Sequence, residues 1–342
     1  MDLHICCWFV KNPKKEGFIR DFDIFGKISG VLKLYFVICT FFLIHISVFS
    51  QGEANNWYFG NNAGITFNTN PPSALLDGEL QTKEGCSSIS DIGGNLLMYT
   101  DGRSIWDRAH NIMPNANYFG GTGLLGDPTS TQSGLIVPHP LDSNIFYVFT
   151  VDEPHHENAF AYPNQGPANP DGTATSNYQD IPEHSVPIDD DGFNNGLNYS
   201  IVDMDLRDGY GDVIENQRNI HLITYNENDS EEIKFKSSEK ITAVIGSDCN
   251  SVWVITHFVD KFYAFLIDEN GVNHEPIVSQ VETVIPISNY RMASKGQLKI
   301  SPNGKTLVVA TNTNNFDQLT SGRRLIINSI MPTEPHSVPS MV

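Results

Sequence analysis

The sequence predicts an all-β chain folded as a β-propeller. The first observation is a phrase that recurs four times, an apolar strand, a short polar turn and a second apolar strand ending in Thr. It runs from Ser88-Ile89-Ser90 to Leu96-Leu97-Met98-Tyr99-Thr100, and from Leu135-Ile136-Val137 to Phe146-Tyr147-Val148-Phe149-Thr150. It returns from Ala243-Val244-Ile245 to Val252-Trp253-Val254-Ile255-Thr256, and from Leu298-Lys299-Ile300 to Leu307-Val308-Val309-Ala310-Thr311. Repeated strand–turn–strand units at a spacing close to one blade set the architecture before any single residue does. The second observation is the turns: Gly, Asn, Asp and Pro gather between the runs, where positive φ or a fixed φ closes a hairpin. The third is composition: 40% hydrophobic against 18% charged residues belongs to a folded chain, and 11% aromatics favours strands.

The elements follow in order. Lys27 and Lys33 precede an apolar run, Leu34 to Ile44, and Val48 and Ser50 fit the small-residue cleavage pattern. Residues 27–50 therefore read as a secretory signal peptide cut after Ser50. The run is short against the roughly 20 residues of a spanning helix, so a retained anchor is the alternative. Residues 1–26 read as an extension ahead of the true signal. Trp57-Tyr58-Phe59 and Gly64-Ile65-Thr66-Phe67 form a hairpin around Asn61-Asn62-Ala63, and Ser104-Ile105-Trp106 adds a strand to the first full phrase. Residues 153–195 hold six prolines and no period; so long a loop reads as an insertion on one face. Further strands are expected at Asn198–Met204, Ile220–Thr224 and Lys261–Ile267. The pentad Ser301-Pro302-Asn303-Gly304-Lys305 is a turn between blade strands. The domain spans residues 51–317, and residues 318–342 read as an irregular tail without a closing strand. Counting strand groups gives about four to five blades where closed rings use about 4–8, so the propeller reads as incomplete.

The net charge of −19 argues against nucleic acid, whose recognition needs a basic face. It fits a solubilised exported product, and it permits bound Ca²⁺. Three of the five cysteines lie in the leader. Cys86 and Cys249 remain, either as a disulfide of an oxidising compartment or as two half-buried thiols.

Chemistry-bearing residues are few. His155, His156, His184 and Glu153 lie in the insertion without fixed metal-ligand spacing. Asp189-Asp190-Asp191-Gly192 and Asp203, Asp205 and Asp208 resemble Ca²⁺ loops but lack the twelve-residue pattern ending in Glu. Asp189, Asp191, Asp203 and Asp205 are thus candidate metal ligands, with a turn as the alternative for the last two. His257 follows an apolar strand with no nucleophile motif beside it, which favours a hydrogen-bonded structural histidine. Trp57, Trp106 and Trp253 suit either sugar stacking or packing between sheets, and their strand positions favour packing. No catalytic or cofactor-binding residue is assigned.

Several segments, taken in order, resemble one family. They include Glu84-Gly85-Cys86-Ser87-Ser88-Ile89-Ser90-Asp91, Gly94 to Gly102, Ile105-Trp106-Asp107 and Gly123-Leu124-Leu125-Gly126. Ser130-Thr131-Gln132-Ser133, Gly196 to Met204 and Trp253 to His257 continue the match. They look like the N-terminal WD40-like propeller region of large Bacteroidetes surface proteins associated with gliding motility and type IX secretion (type B sorting). The resemblance implies four-stranded antiparallel blades and an exported protein at the extracellular or outer-membrane surface. It implies a non-enzymatic recognition or adhesion role toward a polysaccharide or protein, with no membrane span after signal cleavage. The alternative is a glycan-active hydrolase or lyase using carboxylates near the propeller channel. A purely structural stalk or cap is a third possibility.

Overall fold

The computed structural model describes residues 52–118, 120–127, 130–152, 194–281, 294–301, 304–311 and 324–328, the last five and Thr311 without side chains. The leader, nearly all of the 153–195 insertion and most of the 318–342 tail lie outside the described residues.

The described residues are mostly β-sheet, with two short helices at Leu206–Gly209 and Glu232–Phe235, and form five antiparallel sheets in sequence order. The first sheet holds β1 (Asn56–Phe59), β2 (Ala63–Thr66) and β3 (Ser73–Leu75). The second holds β4 (Ser87–Ser90), β5 (Leu96–Thr100) and β6 (Ile105–Asp107). In the third, β7 (Gly134–Pro138), β8 (Ile145–Val151) and β9 (Leu197–Asp203) lie side by side, and β10 (Asp212–Val213) and β11 (Ile220–Leu222) both pair with β9. The fourth contains β12 (Ile241–Ile245), β13 (Val252–Phe258) and β14 (Lys261–Asp268), with β15 (Gly271–Val272) and β16 (Ile277–Gln280) on β14. The fifth is β17 (Gly296–Ile300), β18 (Thr306–Thr311) and β19 (Arg324–Asn328).

All four phrases form hairpins, and they share one register. The first residue of the leading strand pairs with the Thr of the second: Ser87 with Thr100, Gly134 with Thr150, Ile241 with Thr256 and Gly296 with Thr311. Each Thr therefore sits at the same end of its hairpin, beside the chain entering that sheet.

The runs are apolar throughout because the middle sheets are buried on both faces. Successive side chains of a strand point to opposite faces. Thus Phe146 and Val148 of β8 face the second sheet, in a cluster with Ile89, Met98 and Ile105. Tyr147, Phe149 and Val151 face the fourth sheet, in a cluster with Val252, Val254, Tyr263 and Phe265. Ile255 and Phe262 pack on Leu298, Leu307 and Val309 of the fifth sheet. Tyr58 packs on Tyr99 and Trp106 between the first two sheets. The leading strands follow one another in space, β1 beside β4, β4 beside β7, β7 beside β12 and β12 beside β17.

Four expectations are corrected. The sheets described have three or five strands, not a uniform four, because short strands such as β3, β10 and β15 carry no readable period. Arg324–Asn328 forms β19 in full register with β18, so part of the expected tail is a strand. Cys86 is a free thiol and does not pair with Cys249. Cys86 lies at the Thr end of the second sheet, whereas Cys249 lies in the β12–β13 turn, at the far end of the fourth; a bridge needs Cα atoms within about 7 Å. Burial raises the Cys86 pKa, which makes it a poor nucleophile near neutrality. Finally, Trp57 is not core but 50% exposed, while Trp106 is buried and Trp253 packs beside the cluster between the last two sheets. Among the described residues no helix is long and apolar enough to cross a membrane.

Candidate functional site

The shared register gathers polar side chains at the Thr end. The segments entering β4, β7, β12 and β17 meet there. Residues 130–133 are the centrepiece. Ser130 accepts from the Gly85 backbone N–H at 3.0 Å, and Ser133 Oγ donates to the Asp101 carbonyl at 2.7 Å. The approach demands glycine: a Cβ on Gly85 would lie 2.2 Å from the Ser133 nitrogen, and one on Gly102 (φ +86°) 2.0 Å from Ser133 Oγ.

Gln132 spans three sheets. Its Nε2 donates to the Ile241 carbonyl at 2.7 Å, and its Oε1 accepts from the N–H groups of Ile241 (3.2 Å) and Leu298 (2.9 Å). Next to it, Glu239 Oε2 accepts from the Thr131 N–H at 2.9 Å and faces Thr131 Oγ1 at 2.6 Å. Glu84 Oε2 lies 3.1 Å from that same hydroxyl. Two carboxylates, one exposed and one fully buried, thus share a single hydroxyl.

Ser237, Ser238, Glu239 and Lys240 are all fully buried. Lys240 donates through Nζ to the Ser294 carbonyl, tying the fourth sheet to the fifth, and its own carbonyl accepts from Thr256 Oγ1 at 2.7 Å. Burial pulls the Lys240 pKa down to about 7, with the adjacent Glu239 opposing the shift. His257, next along from Thr256, is buried against the Phe262 ring at 4.9 Å. Burial and the Lys240 charge hold its pKa at about 3, so the ring is neutral at physiological pH. Its Nδ1 has no hydrogen-bond partner among the described residues, which corrects the expected hydrogen-bonded histidine. The other repeated threonines vary the theme. Thr100 Oγ1 donates to the Ser104 carbonyl at 2.7 Å, while Thr150 Oγ1 has no partner among the described residues.

A second network joins the first two sheets. Tyr58 stacks on Tyr99 at 4.6 Å, and Tyr99 on Trp106 at 5.5 Å. The Tyr58 hydroxyl donates to Asp77 Oδ1 at 3.0 Å, and His110 Nε2 lies 3.4 Å from Asp77 Oδ2. The Tyr99 oxygen accepts from the Glu79 N–H at 3.1 Å and lies 3.2 Å from His110 Nδ1. With Nε2–H turned to Asp77, Nδ1 accepts from the Tyr99 hydroxyl, so one tautomer satisfies the chain. Burial pushes the Tyr99 pKa up to about 12, and burial with Asp77 raises that of Tyr58. Neither phenol is an activated nucleophile.

The candidate metal ligands are not brought together. Asp203 Oδ1 accepts from the Asp205 N–H at 2.8 Å, and both Asp205 oxygens accept from Asn144 Nδ2 at 3.2 Å. These carboxylates close a turn onto the β7–β8 hairpin, the alternative role expected for them. Asp189, Asp191, Glu153, His155, His156 and His184 lie outside the described residues. Among the described residues no group of three His, Cys, Asp or Glu is placed to hold a metal ion. Glu239, Lys240, Gln132, Asp77 and His110 were not singled out by sequence. For the first three a signal existed: a polar pair or run precedes each leading strand of the last three sheets.

No family model and no curated protein matches the chain. Among solved structures, a hypothetical selenium-binding protein from Sulfolobus tokodaii matches with a TM-score of 0.30 and 9% identity. The match covers 81% of this chain and 51% of that one, so the chain spans about half of its length.

Proposed function

We propose that the chain is the β-propeller scaffold of an exported cell-surface recognition or adhesion protein, in which each sheet is a blade and the leading strands line a central axis. The observation that carries this reading is the Thr end. There, segments from four sheets bring together Glu84, Thr131, Gln132 and Lys295, each at least partly exposed, beside buried Glu239 and Lys240. Such a polar cluster on a rigid scaffold suits a hydroxyl-rich surface polysaccharide or a polar protein segment, bound without turnover. Export through the leader and the net charge of −19 fit a surface location and disfavour nucleic acid. Glycan arrays and pull-downs from envelope extracts with the purified full chain are expected to capture a ligand. Blank results from a folded sample overturn the reading.

One observation favours a second reading, a glycan-active hydrolase or lyase. Glu84 and Glu239 flank one hydroxyl, which places them within about 6 Å, inside the range of about 5–10 Å used by glycosidase acid pairs. Release of reducing sugar that disappears in both Glu84→Gln and Glu239→Gln replaces binding by catalysis.

A further inference from the structure

Among the described residues, the stack of sheets ends in two faces on which no further sheet packs, and they are unlike each other. On the first sheet, residues facing away from the second sheet are apolar: Trp57 and Phe59 on β1, Ile65 opposite Trp57 on β2, and Phe67 just beyond. Trp57 is 50% exposed and Phe59 and Phe67 are each 42% exposed, although the reverse side of the same strand buries Tyr58. Trp57 is held in place, with Nε1 donating to the Ala54 carbonyl at 2.9 Å and the Phe67 ring 5.0 Å away. On the fifth sheet, Leu298, Leu307 and Val309 face inward. The outward face carries Gln297 and Lys299, in register with Ala310 and Val308. It is cationic where the first is aromatic.

Charge separates the two ends in the same sense. Residues 52–84 carry Glu53, Asp77, Glu79 and Glu84 against Lys83. Residues 294–311 carry Lys295, Lys299 and Lys305 and no acid, in a chain of net charge −19. We infer that the bare face of the fifth sheet docks onto the bare face of the first sheet of a second copy of this chain, head to tail. Val308 and Ala310 leave room for the large rings, Lys299 lies over the Trp57 and Phe59 π faces, and the two charge fields attract. Every neighbouring pair of sheets within the chain already encloses an apolar cluster of this kind. Two copies of the first sheet meeting face to face would instead oppose like charges. A head-to-tail contact is heterologous, so it continues into rings or filaments rather than stopping at a dimer.

The test is sedimentation of the purified full chain over a concentration series at low and high salt. The expected result is concentration-dependent association beyond the dimer, weakened by salt, with the Trp57 fluorescence contribution shifting to the blue. Trp57→Ser and Lys299→Glu each remove one face, and each is expected to weaken association about tenfold or more with the thermal midpoint of the monomer kept. Phe59→Ser repeats the first result should Trp57→Ser fail to fold. Mixing the two variants restores one good pair of faces, so the mixture gives capped dimers that neither forms alone. A chain that stays monomeric throughout overturns the inference. So does Lys299→Glu protein that associates like the parent while Trp57→Ser does not, because that is self-pairing of the first sheet. Association indifferent to both substitutions also overturns it, and places the contact elsewhere.

Discussion

The polar meeting point at the Thr end and the aromatic joint between the first two sheets both clamp neighbouring sheets, with opposite materials. At the Thr end the clamps are short polar side chains working on backbone, as with Gln132 on Ile241 and Leu298. They recur because the hairpin register recurs. At the joint, Tyr58, Tyr99 and Trp106 stack, and their polar tips are tied off by Asp77 and His110. Its residues come from five separate places in the chain. The first kind of clamp is built by repetition, the second by a single coincidence of long side chains.

The two regions titrate in opposite directions. At the Thr end, His257 has a pKa held down to about 3, and His221, which pairs with Asn198 opposite Thr150 in the third sheet, one of about 4, chiefly by burial, against 6.5 for the free ring. Their neutral forms are favoured by folding, so that stability is present above pH 6.5 and is lost as the pH falls toward the folded values. The largest expected effect is therefore acid destabilisation. Unfolding free energies from urea titrations are expected to drop between pH 6.5 and 4 by about 1.4 kcal/mol per pH unit for each histidine. His257→Gln removes roughly half of that slope; an unchanged slope breaks the assignment to this region.

Next in size is Trp106→Ala, which empties the middle of the joint at a cost of about 3–5 kcal/mol, read from thermal or urea unfolding. The joint also fails from the alkaline side. Tyr99 has its pKa raised from 10.0 to about 12, so the unfolded phenol ionises first and stability falls as pH rises from 10 to 12. Lys240 runs the other way, shedding its burial penalty as pH rises from about 7 toward 10.5. Tyr99→Phe is expected to flatten the alkaline loss and to cost about 1–1.5 kcal/mol at neutrality, by stranding His110 and the Glu79 N–H. Thr256→Val is expected to cost about 1 kcal/mol through its bond to the Lys240 carbonyl. The smallest effect sharpens the comparison most. Thr150→Val, at the equivalent position but without a partner, is expected to be neutral or to stabilise by up to about 1 kcal/mol in the same assay.

Much of the scaffold was legible. The four Thr phrases became four hairpins because strands that face a core write themselves as apolar runs, unbroken where both faces are buried, and Asp101-Gly102 or Gly93-Gly94-Asn95 can only be turns. Short strands escaped notice, since the two residues of β10 have no period. Trp57 was misplaced because its alternation with Tyr58 shows two faces without showing which is covered. The site was less legible still. Thr100, Thr150 and Thr256 were visible as a repeat, but Glu239 and Lys240 look like any solvated pair until the fold encloses them. Nothing in a sequence announces that Asp77 and His110, thirty-three positions apart, meet at 3.4 Å.

Gln132 has a consequence for the order of assembly. Its amide occupies the backbone groups that open the fourth and fifth sheets, yet it is synthesised more than a hundred residues before either. A chain emerging from its amino end carries an unfilled socket ahead of the strands that will plug it. The early sheets thus supply a template that sets the alignment of the later ones, and a chain emerging in the reverse order would have to find that alignment without a guide.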